Sequence, residues 1–195
     1  MAIAVPPAGA VPERYTVEGY FQLVDGGILG PDDQVELLEG VVVNMAPEGV
    51  RHAAAIMRVG EALREAIAKR AVVSEQHPFI AGAHSAPQTD VAVIPGRVED
   101  YDTAHARSAL LIVEASHTSL VQDRLTKAAI YAAAAVPEYW IVNLRDDHLE
   151  LFRGPDSTAR TYRERRVVSR DEDVELAALP GVRVRVRDLL PRRSE

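Results

Sequence analysis

Residues 109–119 read ALLIVEASHTS, and the passage from Ala109 to Ser119 decides the fold. Ala109 to Val113 are apolar without a break, the pattern of a strand covered on both faces of its sheet. The run then meets Glu114, and an unpaired carboxylate at the end of a buried strand is expensive. A small polar turn, Ser116 to Ser119, follows at once. Such an ending demands water, an arginine or a bound cation beside Glu114.

Working outward, TDVAVI at 89–94 is a second strand of the same covered kind, with Asp90 at its start. VVSEQHPFIA before it reads as an edge or bulged strand, because Pro78 cannot donate to a ladder. Ile56, Val59, Leu63, Ala66 and Ile67 recur at helical spacing and predict an amphipathic helix over 51–70. Nearer the N-terminus, Thr16 caps a short helix to about Val24, ended at Gly26-Gly27. QVELLEGVVVNMAP then reads as a hairpin turning at Glu39-Gly40 and closed by Pro47. After the charged loop 95–107 and the strand at 109–115, a helix runs from Leu120 to Ala135 and stops before Pro137. EYWIVNL and HLELFRG are strands joined by Arg145-Asp146-Asp147, and two or three short strands fill the C-terminal third. No repeat or linker divides the chain. The expectation is an α+β fold, a mixed central sheet flanked by helices, in one domain over 15–190. Residues 1–14 form a flexible arm and 191–195 a tail.

Composition narrows the function. A net charge of −7 argues against holding nucleic acid by bulk electrostatics, although local patches decide contact. With no cysteine, thiolate nucleophiles, thiolate metal sites and disulfides are excluded. The histidines show no paired zinc spacing. No apolar stretch approaches the roughly 20 residues of a membrane span. The N-terminus lacks the basic start and long apolar core of a signal peptide, so cytoplasmic is the default location. Ser116 and Ser119 have no triad context and read as turn-formers.

If the strands at 89–94 and 109–115 are neighbours, Asp90 and Glu114 meet at one end of the sheet. Paired carboxylates there are ligands for Mg²⁺ or Mn²⁺, which would account for Glu114. Taken singly, each carboxylate is more readily explained by water or an arginine. Only Lys69 and Lys127 are lysines. Asp123, Lys127 and Tyr131 fall at i, i+4 and i+8 on one helix face shortly after Glu114. Lys127 could orient a water or a phosphate at that site, or form a surface pair with Asp123.

The order VELLEG, NMAP, RH, EQHPFI, PQTDVAVI, LIVEASHTSL, D, K, Y and AVPEYWIVN resembles the Uma-two family of restriction-endonuclease-type proteins, assigned to the PD-(D/E)XK nuclease superfamily. The resemblance spans roughly residues 14 to 155. Ala135 stands where the family's glycine is usual and Thr89 where proline precedes the aspartate. Asp90 and Glu114 match the acidic residues of the motif. The superfamily lysine position is Ser116 here, and the resemblance makes Lys127 its stand-in on the following helix.

The resemblance implies an endonuclease that hydrolyses DNA phosphodiester bonds with Mg²⁺ or Mn²⁺. Asp90, Glu114 and Lys127 would be catalytic, Asp90 and Glu114 the metal ligands. Glu36 and His52 match a family glutamate and histidine as accessory candidates; a solvated hairpin residue and a cap or packing role are their plainer readings. Gln76 either lines the cleft or merely sits on an edge strand. Two symmetric copies suit cutting two strands, so a homodimer is compatible. The alternative is a non-catalytic nucleic-acid or protein binding module that keeps the nuclease fold, with the three residues splayed or locked to arginines such as Arg124. A third reading makes YAAAAVPEYW, with the lone Trp140, an assembly interface.

Overall fold

The computed structural model describes residues 14–30, 32–45 and 49–192. Most of the expected arm and residues 193–195 of the expected tail lie outside the described residues, as does Pro47. The elements are α1 (Val17–Asp25), β1 (Val35–Leu38), β2 (Val41–Asn44), α2 (Val50–Ile67), β3 (Val72–Pro78), β4 (Gln88–Ile94) and β5 (Leu111–Ser116). Next come α3 (Leu120–Gln122), a π-helical turn (Asp123–Lys127) and α4 (Ala128–Ala133), continuous along the chain. β6 (Glu138–Asn143), β7 (His148–Asp156), β8 (Thr161–Val168), β9 (Asp173–Glu175), β10 (Arg183–Arg185) and α5 (Val186–Leu189) complete the fold.

Six strands form the central sheet in the order β3-β4-β5-β6-β7-β8. Every pair is antiparallel except β5 and β6, which run parallel. A parallel pair needs a crossover, and the helical run 120–133 supplies it. That one exception lays the helix carrying Lys127 across the sheet, starting just beyond the end of β5. The fold is therefore the mixed α+β sheet flanked by helices that the sequence predicts.

Strand alternation sorts the core into two layers. Val91, Val93, Leu111, Val113, Trp140 and Val142 point to one face, where α2 buries Ile56, Val59, Leu63 and Ile67. The C-terminal β9, β10 and α5 pack into this same layer through Val174, Val184, Val186 and Leu189. Ala92, Ile112, Tyr139, Ile141 and Phe152 point to the other face, beneath the crossover's Ile130 and Tyr131. Each central strand is buried on both sides, which is why its sequence shows an apolar run and no alternation.

Three expectations need correction. The break in β3 falls at Gln76 (φ 53°), not at Pro78, whose backbone stays paired opposite Gln88. The crossover widens at Asp123–Lys127 where a plain α-helix was expected. Trp140 is fully buried under α2, so it offers no assembly surface. Among the described residues, no helix is long and apolar enough to cross a membrane.

Glu138, on the α2 face of β6, is fully buried. Its Oε1 accepts from Trp140 Nε1 at 2.9 Å and Arg153 Nε at 2.8 Å, and its Oε2 accepts the Ala177 N–H at 2.7 Å. The carboxylate thus fastens the C-terminal segment to the sheet. Glu138→Ala would strand these donors and should lower unfolding free energy by about 3 kcal/mol. Urea unfolding checks this; a change within ~0.5 kcal/mol would remove the role.

Candidate functional site

Alternation along β5 turns Leu111, Val113 and Ala115 toward α2 and turns Glu114 toward the crossover. Glu114 is 3% exposed, near the end of a strand that is buried throughout. The crossover then returns over it. Lys127, at the end of the π turn, donates from Nζ to Glu114 Oε1 at 3.2 Å. Tyr131, one turn on, donates its O–H to the same oxygen at 2.6 Å.

Glu36 arrives from another element. The hairpin β1-β2 is held to the sheet by a bridge between Leu37 and Ala86, just ahead of β4. Alternation on β1 buries Glu36 at 3% exposure. Its Oε2 lies 3.3 Å from Lys127 Nζ and accepts the Gln88 N–H at 3.1 Å. Lys127 Nζ also donates to the Gln88 carbonyl at 3.4 Å.

Asp90 follows from the register. β4 and β5 pair as far as Val91 with Val113, so Asp90 and Glu114 are the next partners, where the ladder ends. Asp90 Oδ2 accepts the Ala115 N–H at 2.7 Å and lies 3.1 Å from His52 Nε2 in the first turn of α2. Asp123, 3% exposed, accepts from Ser119 Oγ at 2.7 Å. These groups line a cleft of about 850 Å³.

The structure brings Asp90, Glu114, Lys127, Glu36 and His52 together. Lys127 is no surface pair with Asp123, since both are buried. Nor is Glu36 a solvated hairpin residue. Arg124, the arginine that might have locked the site, turns instead to Glu150 on β7, donating from Nε to Oε2 at 3.0 Å.

Electrostatics separates the two kinds of buried acid. Glu150 is fully buried, yet donors from Arg124, Asn143 and Arg165 outweigh the cost of burial and hold its carboxyl down at about 2. Burial raises Glu36 and Asp123, and raises Glu114 well above the carboxylate range, with Lys127 only partly offsetting it. Burial would lower Lys127, but Glu114, Glu36, Asp123 and Asp90 together drive it above its ordinary value. One ammonium is shared by several acids. The arrangement is short of positive charge in a way the Glu150 cluster is not.

That shortage is what a divalent cation would correct. Among the described residues no three acidic or imidazole groups close into a ready-made metal cage. Mg²⁺ commonly takes only one or two carboxylates, completing its shell with water and phosphate. Asp90 and Glu114 fit that description, with Glu36 beside them.

Sequence reasoning nominated Lys127 and passed over its neighbours. Asp123 and Tyr131 stood on the same helix face, and that spacing was the available signal. Nothing local marked Ser119, His117 or the Gln88 backbone as cleft groups. Gln76 does line the cleft, opposite Asp90 in register.

Comparison with known proteins bears on the family and the fold. A family model described as "Putative restriction endonuclease" matches residues 17–187. A crystal structure of "a putative nuclease belonging to DUF820" from Anabaena variabilis ATCC 29413 superposes with a TM-score of 0.70 at 14% identity. The alignment covers 90% of this chain and 97% of that one, which establishes a shared fold. No curated protein matches.

The Arg124–Glu150 contact pins the π turn to the sheet and so sets where Lys127 descends. Because Glu150's folded pKa is depressed, its contribution is present above the unfolded value, about 4.3, and fades as pH falls toward 2. Arg124 and Arg165 remain 31% and 52% exposed, which discounts the full shift to about 2 kcal/mol. Glu150→Gln should therefore be less stable than wild type by about that much at pH 7, with the gap closing near pH 2. Urea midpoints at the two pH values measure it; an equal gap at both would contradict the assignment.

Proposed function

The chain belongs to the Uma2 family, and on that premise we propose that it is a divalent-metal-dependent endonuclease hydrolysing phosphodiester bonds in DNA. The observation carrying this reading is the convergence of Asp90, Glu114 and Glu36 around Lys127 in one cleft with too little positive charge to balance them. Asp90 and Glu114 are the metal ligands, Glu36 is an accessory acid, and the ion is Mg²⁺ or Mn²⁺. When bound, such an ion polarises the scissile phosphate and acidifies an attacking water.

The protein's own residues prepare that site. Asp90 is oriented by the Ala115 N–H and by His52, which leaves its other oxygen for the cleft. Glu114 is oriented by Tyr131 and Lys127, both on Oε1. Lys127 brings positive charge to where a substrate phosphate would enter. The neighbouring α2 starts at the cleft with Gly49 and Val50, so its first backbone N–H groups add a favourable field for an anion. The substrate backbone then meets positive groups locally despite the chain's net charge of −7. Two copies acting on opposite strands would account for double-strand cutting.

The rival reading, a binding module retaining the fold, requires these residues to be splayed or neutralised by arginine. Their convergence, and the diversion of Arg124 to Glu150, support the enzyme instead.

Calorimetric titration with Mn²⁺ tests the assignment without knowledge of the target sequence. Wild type should bind, and Asp90→Ala and Glu114→Ala should each abolish binding and Mn²⁺-dependent nicking of plasmid DNA. Indistinguishable wild type and variants would refute the site. His52→Ala, which removes one of the two groups orienting Asp90, should weaken Mn²⁺ by about 10- to 100-fold. Unchanged affinity there would make His52 a packing residue.

A further inference from the structure

Lys127 carries three N–H donors, and its ammonium contacts three acceptors: Glu114 Oε1, Glu36 Oε2 and the Gln88 carbonyl. An ammonium engaged on three sides has little left to offer a water or a phosphate. It lies between the very carboxylates that are short of positive charge.

Each carboxylate oxygen it contacts has a second, neutral donor. Glu114 Oε1 also accepts the Tyr131 O–H, and Glu36 Oε2 also accepts the Gln88 N–H. These donors come from α4 and β4, and neither depends on the lysine. If the ammonium withdrew, both acids would stay oriented and would lose only their compensating charge. A lysine whose job was simply to hold the two acids in place would not need such duplication.

Resting on the nuclease reading above, we infer that Lys127 is a stand-in cation: in the metal-free protein its ammonium lies between Glu36 and Glu114, and a divalent ion held by Asp90 and Glu114, with Glu36 beside it, displaces it. The displaced ammonium swings on a four-carbon stem and remains near Asp123, whose charge already acts on it. Its donors then become available to a phosphate in the cleft. Metal entry and arming of the lysine are thus one event. The metal-free protein avoids holding uncompensated buried acids, which would cost stability.

The proposal makes opposite demands from a preorganising lysine. Lys127→Met should melt at a lower temperature without metal, yet bind Mn²⁺ at least tenfold more tightly than wild type in calorimetry, because no competitor remains. Equal or weaker binding by a folded Lys127→Met, with wild type binding normally, overturns the stand-in role alone. Failure of wild type itself to bind Mn²⁺ removes the metal site and this inference with it.

A second measurement needs no variant. Lys69 is exposed and Lys127 buried, and they are the chain's only lysines. Acetylation of wild type, read by mass spectrometry, should leave Lys127 protected without metal. Saturating Mg²⁺ should raise its labelling several-fold relative to Lys69. An unchanged or lower ratio in protein that binds the ion overturns the displacement.

Discussion

The competition of several buried carboxylates for one ammonium is the constraint on which the rest of this architecture depends. Glu114 ends a central strand, Glu36 comes from a hairpin outside the main sheet, and Asp123 from the crossover. None has an arginine partner among the described residues. Elsewhere the chain compensates buried acid generously: Glu138 has Arg153 and Glu150 has both Arg124 and Arg165. Since 20 of the 22 basic residues are arginine, the choice of lysine at 127 stands out physically. A guanidinium is a rigid, always-charged fork that closes on a carboxylate. An ammonium on a flexible stem is a compact charge that can be moved.

Topology explains how these groups assemble. The parallel pairing of β5 with β6 forces a crossover, and the crossover begins beside Glu114 and passes over it. Antiparallel pairing of β4 with β5 sets Asp90 next to Glu114 just as the ladder ends. The bridge from Leu37 to Ala86 brings Glu36 to the same end of the sheet. Three separate long-range contacts therefore converge on one cleft, and the π turn adjusts the last of them. π turns inside α-helices are frequent at functional sites. Here Arg124 and Lys127 both reach down to the sheet, to different strands.

Much of this was legible in the chain itself. The uninterrupted runs at 89–94 and 109–115 identified covered strands, and the carboxylates interrupting them pointed to Asp90 and Glu114. Lys127 was legible from its rarity and its spacing. Other features were hidden for definable reasons. Glu36 looks like one polar residue of a hairpin, because its burial comes from residues about fifty positions away. The π turn has no local signature, and the strands its side chains meet, β5 and β7, lie elsewhere in the chain. The break in β3 was misread because proline advertises itself in sequence, whereas a left-handed glutamine does not. Trp140 seemed available for assembly only until α2 was seen to cover it.

That break at Gln76 also bears on what the protein avoids. β3 is an outer strand of the sheet, with a row of backbone groups turned away from β4. A straight outer strand invites another chain to add to it and, by repetition, to polymerise. The left-handed residue at Gln76 interrupts that row midway, which hinders an incoming strand from following it through. At the opposite margin β8 presents Arg163, Glu164, Arg165 and Arg166, a run too charged to be paired flat against a copy of itself. The sheet is guarded against self-propagation at both margins, by backbone shape at one and by charge at the other.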